Sequence, residues 1–173
     1  SDQSTKLAIV GFGLIGQRHA EAIRVSPQVE LTAVVEPENS ASRSAVDPSV
    51  SIFSDVAQML ELAKPDGVII ASPTKLHVMH SQLCVEAGIP ALIEKPISDD
   101  LAAARQLTQD AAQVGVPLLV GHHRRFNPII KRAHDLIKSG EVGDIRAINS
   151  TCWFYKPDYY FDNASWRKKK GAG

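Results

Sequence analysis

Short, continuous apolar runs recur along the first two thirds of the chain, separated by stretches in which apolar residues return every three or four positions. The first pattern is typical of strands buried on both faces of a parallel sheet, and the second of helices that cover such a sheet. Their alternation predicts right-handed β–α–β crossovers and a doubly wound α/β domain with strand order 3-2-1-4-5-6. The predicted strands lie at residues 8–10, 29–35, 50–53, 68–71, 90–94 and 117–120.

The pattern changes after residue 121, where the predicted sheet domain (1–121) ends. Residues 122–173 contain one predicted helix, with apolar residues between 129 and 137, and one alternating stretch at 145–154 that predicts a half-buried strand. One helix and one strand cannot enclose a core. We therefore expect 122–173 to be the beginning of an α+β second domain, incomplete here because the polypeptide was truncated or is a fragment of a longer chain.

Composition and charge argue against several classes of partner. The 173 residues include 19 Lys and Arg and 19 Asp and Glu, so we expect neither nucleic acid nor an anionic membrane as a partner. No apolar run approaches the roughly 18 residues of a membrane-spanning helix, and no signal peptide is visible. Cys84 and Cys152 have no CxxC partner and predict core thiols in a reducing compartment. A cytoplasmic location is expected.

Spaced glycines follow the first strand and precede a helix. They form the pattern GxGxxG, in which glycine allows a tight turn, close approach of the backbone to a pyrophosphate, and close packing of helix on strand. The first turn of the helix would direct its free N–H groups and the positive end of its dipole at the phosphate. This stretch predicts a dinucleotide site in a Rossmann fold, and its residues are Gly11, Phe12, Gly13, Leu14, Ile15 and Gly16.

Glu36 is the candidate acceptor for the adenosine ribose. Ligands of doubly wound sheets bind outside the carboxyl ends of the strands, and Glu36 follows the second strand directly. An acidic side chain there accepts hydrogen bonds from the ribose and repels a 2′-phosphate, which favours NAD over NADP. Arg43 is near in sequence and could reach such a phosphate, so NADP stays open. The structural alternative is a solvated loop glutamate before Pro37.

Lys95 is the candidate catalytic residue. It directly follows an apolar strand, so its ammonium is expected at the rim where the nicotinamide would lie. Partial burial beside a cationic ring would make it a proton donor and acceptor near neutral pH. The alternatives are a structural lysine paired with Glu94 and a surface lysine. The bond between Lys95 and Pro96 could be cis.

The histidines are less informative. His19 shares a predicted helix face with Ile15 and Ile23, so we interpret it as a packed helix side chain. No metal site is predicted, because acidic or cysteine partners at ligand spacing are lacking. The histidines considered for a metal are His77, His80, His122 and His123.

Several motifs occur in this chain in one order. They are AIVGFGLIG at 8–16 with HA at 19–20, SPTKLH at 72–77, EKP at 94–96 and GHHRRFNP at 121–128. Together they resemble the family of glucose–fructose oxidoreductase, inositol dehydrogenase and MocA, and EVGDI at 141–145 and WR at 166–167 continue the resemblance. The resemblance implies NAD(P)-dependent oxidation of a hydroxyl, typically on a sugar, cyclitol or related polyol, or the reverse reduction. It also implies a homo-oligomer.

The resemblance implies roles for individual residues. Lys95 would contact the reacting hydroxyl and the nicotinamide ribose. His123 and Arg124 would contact the cofactor at the crossing into the second domain, and Trp166 and Arg167 would approach it from that domain. The nicotinamide half of the cofactor would be lined by Ser72, Pro73, Thr74, His77 and Glu94.

The sequence departs from the family pattern at its end. In the family, an aspartate and a histidine follow the Trp-Arg element and a glycine cluster, and they complete the catalytic set with the lysine. Here the glycine cluster begins at Gly171 and the sequence stops at Gly173. We therefore expect this polypeptide to bind cofactor better than it turns over a substrate. The alternative is an NAD(P)-binding module without catalysis that acts as a sensor or interaction partner.

Overall fold

The computed structural model describes residues 4–158, and all element bounds refer to that part of the chain. Its strands form one sheet in the order β3-β2-β1-β4-β5-β6, and every neighbouring pair is parallel. The predicted doubly wound α/β fold and its strand order are confirmed. The strands are β1 Thr5–Val10, β2 Val29–Val35, β3 Ser51–Phe53, β4 Gly67–Ile70, β5 Ala91–Ile93 and β6 Leu118–Val120.

Carboxylate side chains begin two of the helices that connect the strands. Asp55 accepts a hydrogen bond from the N–H of Gln58, and Asp100 accepts one from the N–H of Ala103, both at 2.8 Å. Within residues 4–158, no helix combines the length and apolar character needed to cross a membrane. The helices are α1 Leu14–Arg24, α2 Val56–Ala63, α3 His77–Glu86, α4 Leu101–Val114 and α5 Pro128–Lys138, with 3-10 turns at Ala41–Ala45, Thr74–Leu76 and His123–Phe126.

The core lies on both faces of the sheet, because successive strand residues point to opposite faces. Ala8 and Val10 of β1 belong to one buried cluster, whereas Ile9 between them belongs to the other. Residues of α2, α3 and α4 pack in the first cluster, and Ile23 of α1 packs in the second. This two-sided burial explains why the strands read as uninterrupted apolar runs.

The chain divides into two compact units between Gly121 and His122. In the second unit, the side chain of Asn127 caps α5 by accepting a hydrogen bond from the N–H of Ile129 at 2.9 Å. The predicted strand at 145–154 is wrong, because the described residues of this unit contain no strand, and Trp153 is 89% exposed. A strand needs a neighbouring strand for its backbone hydrogen bonds, and the described part of this unit provides none.

The two cysteines lie in different environments. Cys84 is fully buried in α3, and burial raises the pKa of its thiol to about 12, which confirms the predicted core thiol. Cys152 is exposed, so the same prediction is wrong there. The reason is that Cys152 lies on the stretch that was expected to be a half-buried strand.

Two leucines of α4 test the assignment of the core. We expect Leu107→Ala to lower the free energy of unfolding by about 2–5 kcal/mol, because it leaves a cavity in a closely packed layer. Leu101→Ala should change it by about 0.5 kcal/mol or less, since exposed positions tolerate substitution. The two side chains are 1% and 70% exposed, respectively. Urea denaturation measures both variants, and equal losses would contradict this assignment.

Candidate cofactor-binding site

The hydrogen bonding of the sheet continues one residue beyond the carboxyl ends of its strands. The segments that follow β1, β4, β5 and β6 are thereby held in register at one edge, where ligands of doubly wound sheets bind. The bonds run from the N–H groups of Gly11, Ala71, Glu94 and Gly121 to the carbonyl oxygens of Val35, Val10, Ile70 and Ile93, at 2.8, 2.8, 2.9 and 2.8 Å respectively.

Three backbone segments meet closely at the glycine turn. Gly11 has φ +90°, and a Cβ there would lie 2.7 Å from the Cα of Ser72 in the segment after β4. A Cβ on Gly16 would overlap the carbonyl oxygen of Gly11. Glycine alone accepts both the positive φ and the contact. These two positions therefore explain how α1 can begin directly against the end of β1.

Gly13 lies in a different environment from the other two glycines of the motif. A Cβ at Gly13 would meet no atom within 4 Å, and Gly13 caps α1 without a side-chain hydrogen bond. The free N–H groups of the first helical turn and the positive end of the dipole are therefore available beside open space. A pyrophosphate fits this arrangement, because it binds through backbone N–H groups. Leu14 and Ile15 in the same turn are exposed.

Glu36 is only 9% exposed and is tied to the glycine turn. Its Oε2 accepts a hydrogen bond from the N–H of Phe12 at 2.6 Å, and its Oε1 accepts one from the hydroxyl of Ser40 at 2.5 Å. The alternative of a solvated loop glutamate is therefore wrong. A carboxylate offers about four lone-pair positions, so two of them remain for further donors.

Phe12 is the second residue of the glycine turn. Its side chain is buried in the core cluster that also contains Ile23 and Val34. Only its backbone can therefore border the site. A hydrogen bond holds this backbone in place, because the carbonyl oxygen of Phe12 accepts from the side-chain amide of Gln17 at 3.0 Å.

Arg43 lies beside Glu36, as its position in the sequence suggested. Its guanidinium donates to the carbonyl oxygen of Glu36 at 2.8 Å and to the hydroxyl of Ser54 at 3.2 Å. A guanidinium carries five N–H donors, so these contacts leave others available. The charge after β2 is thus mixed, with the buried carboxylate of Glu36 beside the partly buried guanidinium of Arg43.

The loop after β4 contains Ser72, Pro73 and Thr74. Pro73 is exposed, and the hydroxyl of Ser72 lies 3.0 Å from Nδ1 of His80 in α3. Burial, reinforced by the charge of the neighbouring His77, lowers the pKa of His80. The neutral ring that results can accept a hydrogen bond from the Ser72 hydroxyl.

His77 requires a correction, because its ring is enclosed rather than open to a ligand. The residue is 2% exposed, with Nε2 at 2.8 Å from the carbonyl oxygen of Ser72 and Nδ1 at 2.9 Å from that of Pro96. Both ring nitrogens are occupied by backbone. Direct contact of this side chain with a cofactor is therefore not supported by its surroundings.

Glu94 pairs with His19, which lies on α1. Glu94 Oε1 is 2.9 Å from His19 Nε2, and both side chains are partly buried. A Cβ on Gly121 would lie 3.2 Å from the same Oε1, so glycine leaves room for the carboxylate. The interpretation of His19 as a packed helix side chain is corrected, since it joins α1 to the loop after β5.

The side chain of Lys95 is exposed, so the partial burial expected for it is not found. Its backbone N–H donates to Glu94 Oε2 at 3.3 Å. In the described part of the chain its ammonium forms no ion pair, which removes the alternative of a lysine paired with Glu94. The bond between Lys95 and Pro96 is cis.

The remaining candidates lie beyond the sheet domain. His123 and Arg124 are exposed in the second unit, where the guanidinium of Arg124 is 4.9 Å from the ring centroid of Phe154. Trp166 and Arg167 lie outside the described residues. Between residues 4 and 158, no group of three or more His, Cys, Asp or Glu side chains could hold a metal ion.

The fold and the glycine turn together define a dinucleotide-binding protein of the Rossmann class. Comparison with known proteins identifies the family, because the family model described as "Oxidoreductase family, NAD-binding Rossmann fold" matches residues 5–122. The chain belongs to this Gfo/Idh/MocA family of oxidoreductases, and its sheet domain is the NAD-binding domain of the family.

The chain spans about half the length of the relatives it matches. It is 31% identical over 152 residues to the rhizopine catabolism protein MocA of Rhizobium meliloti, covering 88% of this chain and 48% of that protein. It is 30% identical to scyllo-inositol dehydrogenase of Lactobacillus casei with bound NAD(H) and scyllo-inositol (TM-score 0.77), covering 83% and 43%. It is 26% identical to the WlbA dehydrogenase of Chromobacterium violaceum in complex with NADH and UDP-GlcNAcA (TM-score 0.88), covering 96% and 49%.

Sequence reasoning missed three polar side chains that support the site. Ser40 bonds to Glu36, His80 bonds to Ser72, and His19 bonds to Glu94. Ser40 is four residues from its partner and could have been considered. His19 and Glu94 are 75 residues apart, and no local pattern indicates such a pair.

Gly16 and Gly13 lie in different environments, so replacing each by alanine should affect the free energy of unfolding differently. We expect Gly16→Ala to lower the free energy of unfolding by about 3 kcal/mol, because its Cβ would overlap the Gly11 carbonyl. Gly13→Ala should change it by about 1 kcal/mol or less, since its Cβ would enter open space. Thermal and urea unfolding measure both. Equal stability of the two variants would contradict the close approach described for Gly16.

Proposed function

We propose that this chain is the cofactor-binding part of a nicotinamide-dependent dehydrogenase that transfers a hydride between NAD and a hydroxyl-bearing carbon. The observation that carries the proposal is that three groups lie together at the carboxyl ends of the strands. There the open helix terminus at Gly13, the buried carboxylate of Glu36 and the exposed ammonium of Lys95 follow three strands of one sheet. Bound NAD supplies the hydride acceptor, and the chain supplies the groups that hold it.

Glu36 would select NAD over NADP. Its carboxylate retains acceptor capacity for two ribose hydroxyls beyond its bonds to Phe12 and Ser40. A 2′-phosphate would bring negative charge next to a carboxylate that is almost fully buried, where charge repulsion is poorly screened. Arg43 offsets this repulsion in part, because it lies against the Glu36 carbonyl. NADP binding is therefore expected to be weaker rather than absent.

Lys95 would move the proton of the reacting hydroxyl. Its side chain is exposed at the carboxyl end of β5, beside the expected nicotinamide site, and its ammonium carries three donors that can contact a hydroxyl oxygen. In the oxidation, the neutral amine would accept the hydroxyl proton as the hydride leaves the carbon. In the reduction, the ammonium would return that proton. Glu94 and Pro96 flank it and would fix its backbone.

Other parts of the proposal rest on the family and on its longer members. The aspartate and histidine that the family carries after its Trp-Arg element and glycine cluster would complete the catalytic set. His123, Arg124, Trp166 and Arg167 would add contacts to the cofactor. The substrate class is a sugar, cyclitol or related polyol, in keeping with the scyllo-inositol and UDP-GlcNAcA bound by the relatives. A homo-oligomer and a cytoplasmic location stay predictions.

The cofactor preference can be measured on this chain directly. By calorimetric titration, NADH should bind more tightly than NADPH. Glu36→Gln should reduce the ratio of the two affinities at least about tenfold, equivalent to about 1.4 kcal/mol, because it removes the charge and keeps the size. Glu38→Gln is the matched control, an exposed glutamate two residues further on, and should leave the ratio unchanged. No binding of either cofactor would overturn the proposal.

The role of Lys95 is tested on the complete product of the gene that encodes this chain. A panel of sugars and cyclitols, monitored by NADH absorbance, first identifies a substrate. Lys95→Met should then lower kcat by at least about 10²-fold, the scale of general acid–base catalysis. Lys64→Met, at an exposed lysine following α2, is the control and should retain activity. Unchanged turnover in Lys95→Met would refute the catalytic role.

A further inference from the structure

His77 is a buried polar side chain for which cofactor binding provides no explanation. It is the first residue of α3, and it is 2% exposed. Its ring lies between two loops, 2.8 Å from the carbonyl oxygen of Ser72 and 2.9 Å from that of Pro96. Ser72 follows β4, and Pro96 follows β5, the neighbouring strand in the sheet. One side chain therefore links the backbones of two adjacent loops.

Both atoms that face the ring are hydrogen-bond acceptors. A carbonyl oxygen has no proton to offer, so each contact is a hydrogen bond when the ring nitrogen carries hydrogen. Two simultaneous bonds require an N–H at each nitrogen. A neutral ring carries one N–H and donates to one of these oxygens, so replacing it by an apolar side chain would remove at least one donor.

The loop that contains Lys95 has defined attachments on either side. Upstream, the N–H of Glu94 bonds to the carbonyl of Ile70 at 2.9 Å, and its carboxylate bonds to His19. Downstream, the carbonyl of Pro96 is in contact with His77. Lys95 lies between these attachments, and its own side chain is exposed.

We propose that His77 is a positioning residue that fixes Lys95 by holding the Pro96 carbonyl oxygen at the start of α3, beside the Ser72 loop. It touches neither cofactor nor substrate and acts on Lys95 through the Pro96 contact. The loops that would border the nicotinamide are then held at a constant separation. The catalytic significance of this link rests on the role proposed above for Lys95, whereas the link itself can be tested without any cofactor.

Two isosteric substitutions separate the two contacts. The side-chain amide nitrogen of Asn occupies nearly the position of histidine Nδ1, so His77→Asn keeps a donor for Pro96. The amide nitrogen of Gln occupies nearly the position of Nε2, so His77→Gln keeps a donor for Ser72. His77→Leu removes both donors and retains bulk. His80→Leu is the control, because His80 contacts the Ser72 hydroxyl and has no contact with the Pro96 carbonyl among the described residues.

Amide hydrogen exchange on this chain, followed by NMR, tests the proposal. We expect His77→Leu and His77→Gln to raise exchange rates at Glu94 and Lys95, whose N–H groups are hydrogen-bonded, at least about tenfold, with a smaller change at Val68 and Ile70 in β4. In His77→Asn and His80→Leu, the exchange rates of the Lys95 loop should stay within about threefold of those in the original protein. This pattern would support positioning through the Pro96 contact.

Three outcomes would overturn the proposal. In the first, exchange accelerates equally at loop and sheet amides in every His77 variant. In the second, exchange accelerates in none of the variants. In the third, exchange in the loop accelerates equally in His77→Asn and His77→Gln. In the complete gene product, His77→Gln should lower kcat about tenfold with the NADH Kd changed less than about threefold. Retained kcat in His77→Gln would overturn the positioning role. Failure of Lys95→Met to reduce turnover would instead identify a failure of the proposed function, because the exchange pattern does not depend on it.

Discussion

The close approach of three backbone segments at the glycine turn is the constraint on which the candidate site depends. Gly11 touches the segment after β4, and Gly16 touches Gly11, so neither position has room for a side chain. Because of this contact, α1 begins at the end of the central strand rather than several residues away. Its first turn therefore lies at the same end of the strands as the loops after β4 and β5, which brings the N–H groups of that turn and the candidate lysine to one end of the sheet.

Much of the sheet domain was predictable, because its determinants are local in sequence. Strands buried on both faces are uninterrupted apolar runs, and helices between them have a distinct period, so the strand order followed from connection rules. The glycine spacing and Glu36 were recognisable for the same reason. The stretch at 145–154 failed because an alternating pattern does not create a partner strand, and pairing is decided by residues elsewhere in the chain.

The environments of single polar side chains were the least predictable part of the site. His19 looked like a helix packing residue, yet its partner Glu94 comes from another loop. His77 looked like a cofactor contact, yet two carbonyl groups enclose it. In both cases the sequence indicated that a polar group lies near the edge of the sheet. Which neighbour forms a hydrogen bond with that polar group depends on the packing of loops that are distant in sequence.

Glu36 links two properties that are usually considered separately. One carboxylate oxygen accepts a hydrogen bond from the N–H of Phe12 within the glycine turn, and the other accepts one from the hydroxyl of Ser40. In the proposed function, a change of residue here would alter the discrimination between cofactors, and it would also remove an acceptor from the glycine turn. A single substitution at Glu36 would therefore not be enough to change the cofactor preference of this domain from NAD to NADP. A lineage that made that change would need a second residue to take over the bond to Phe12.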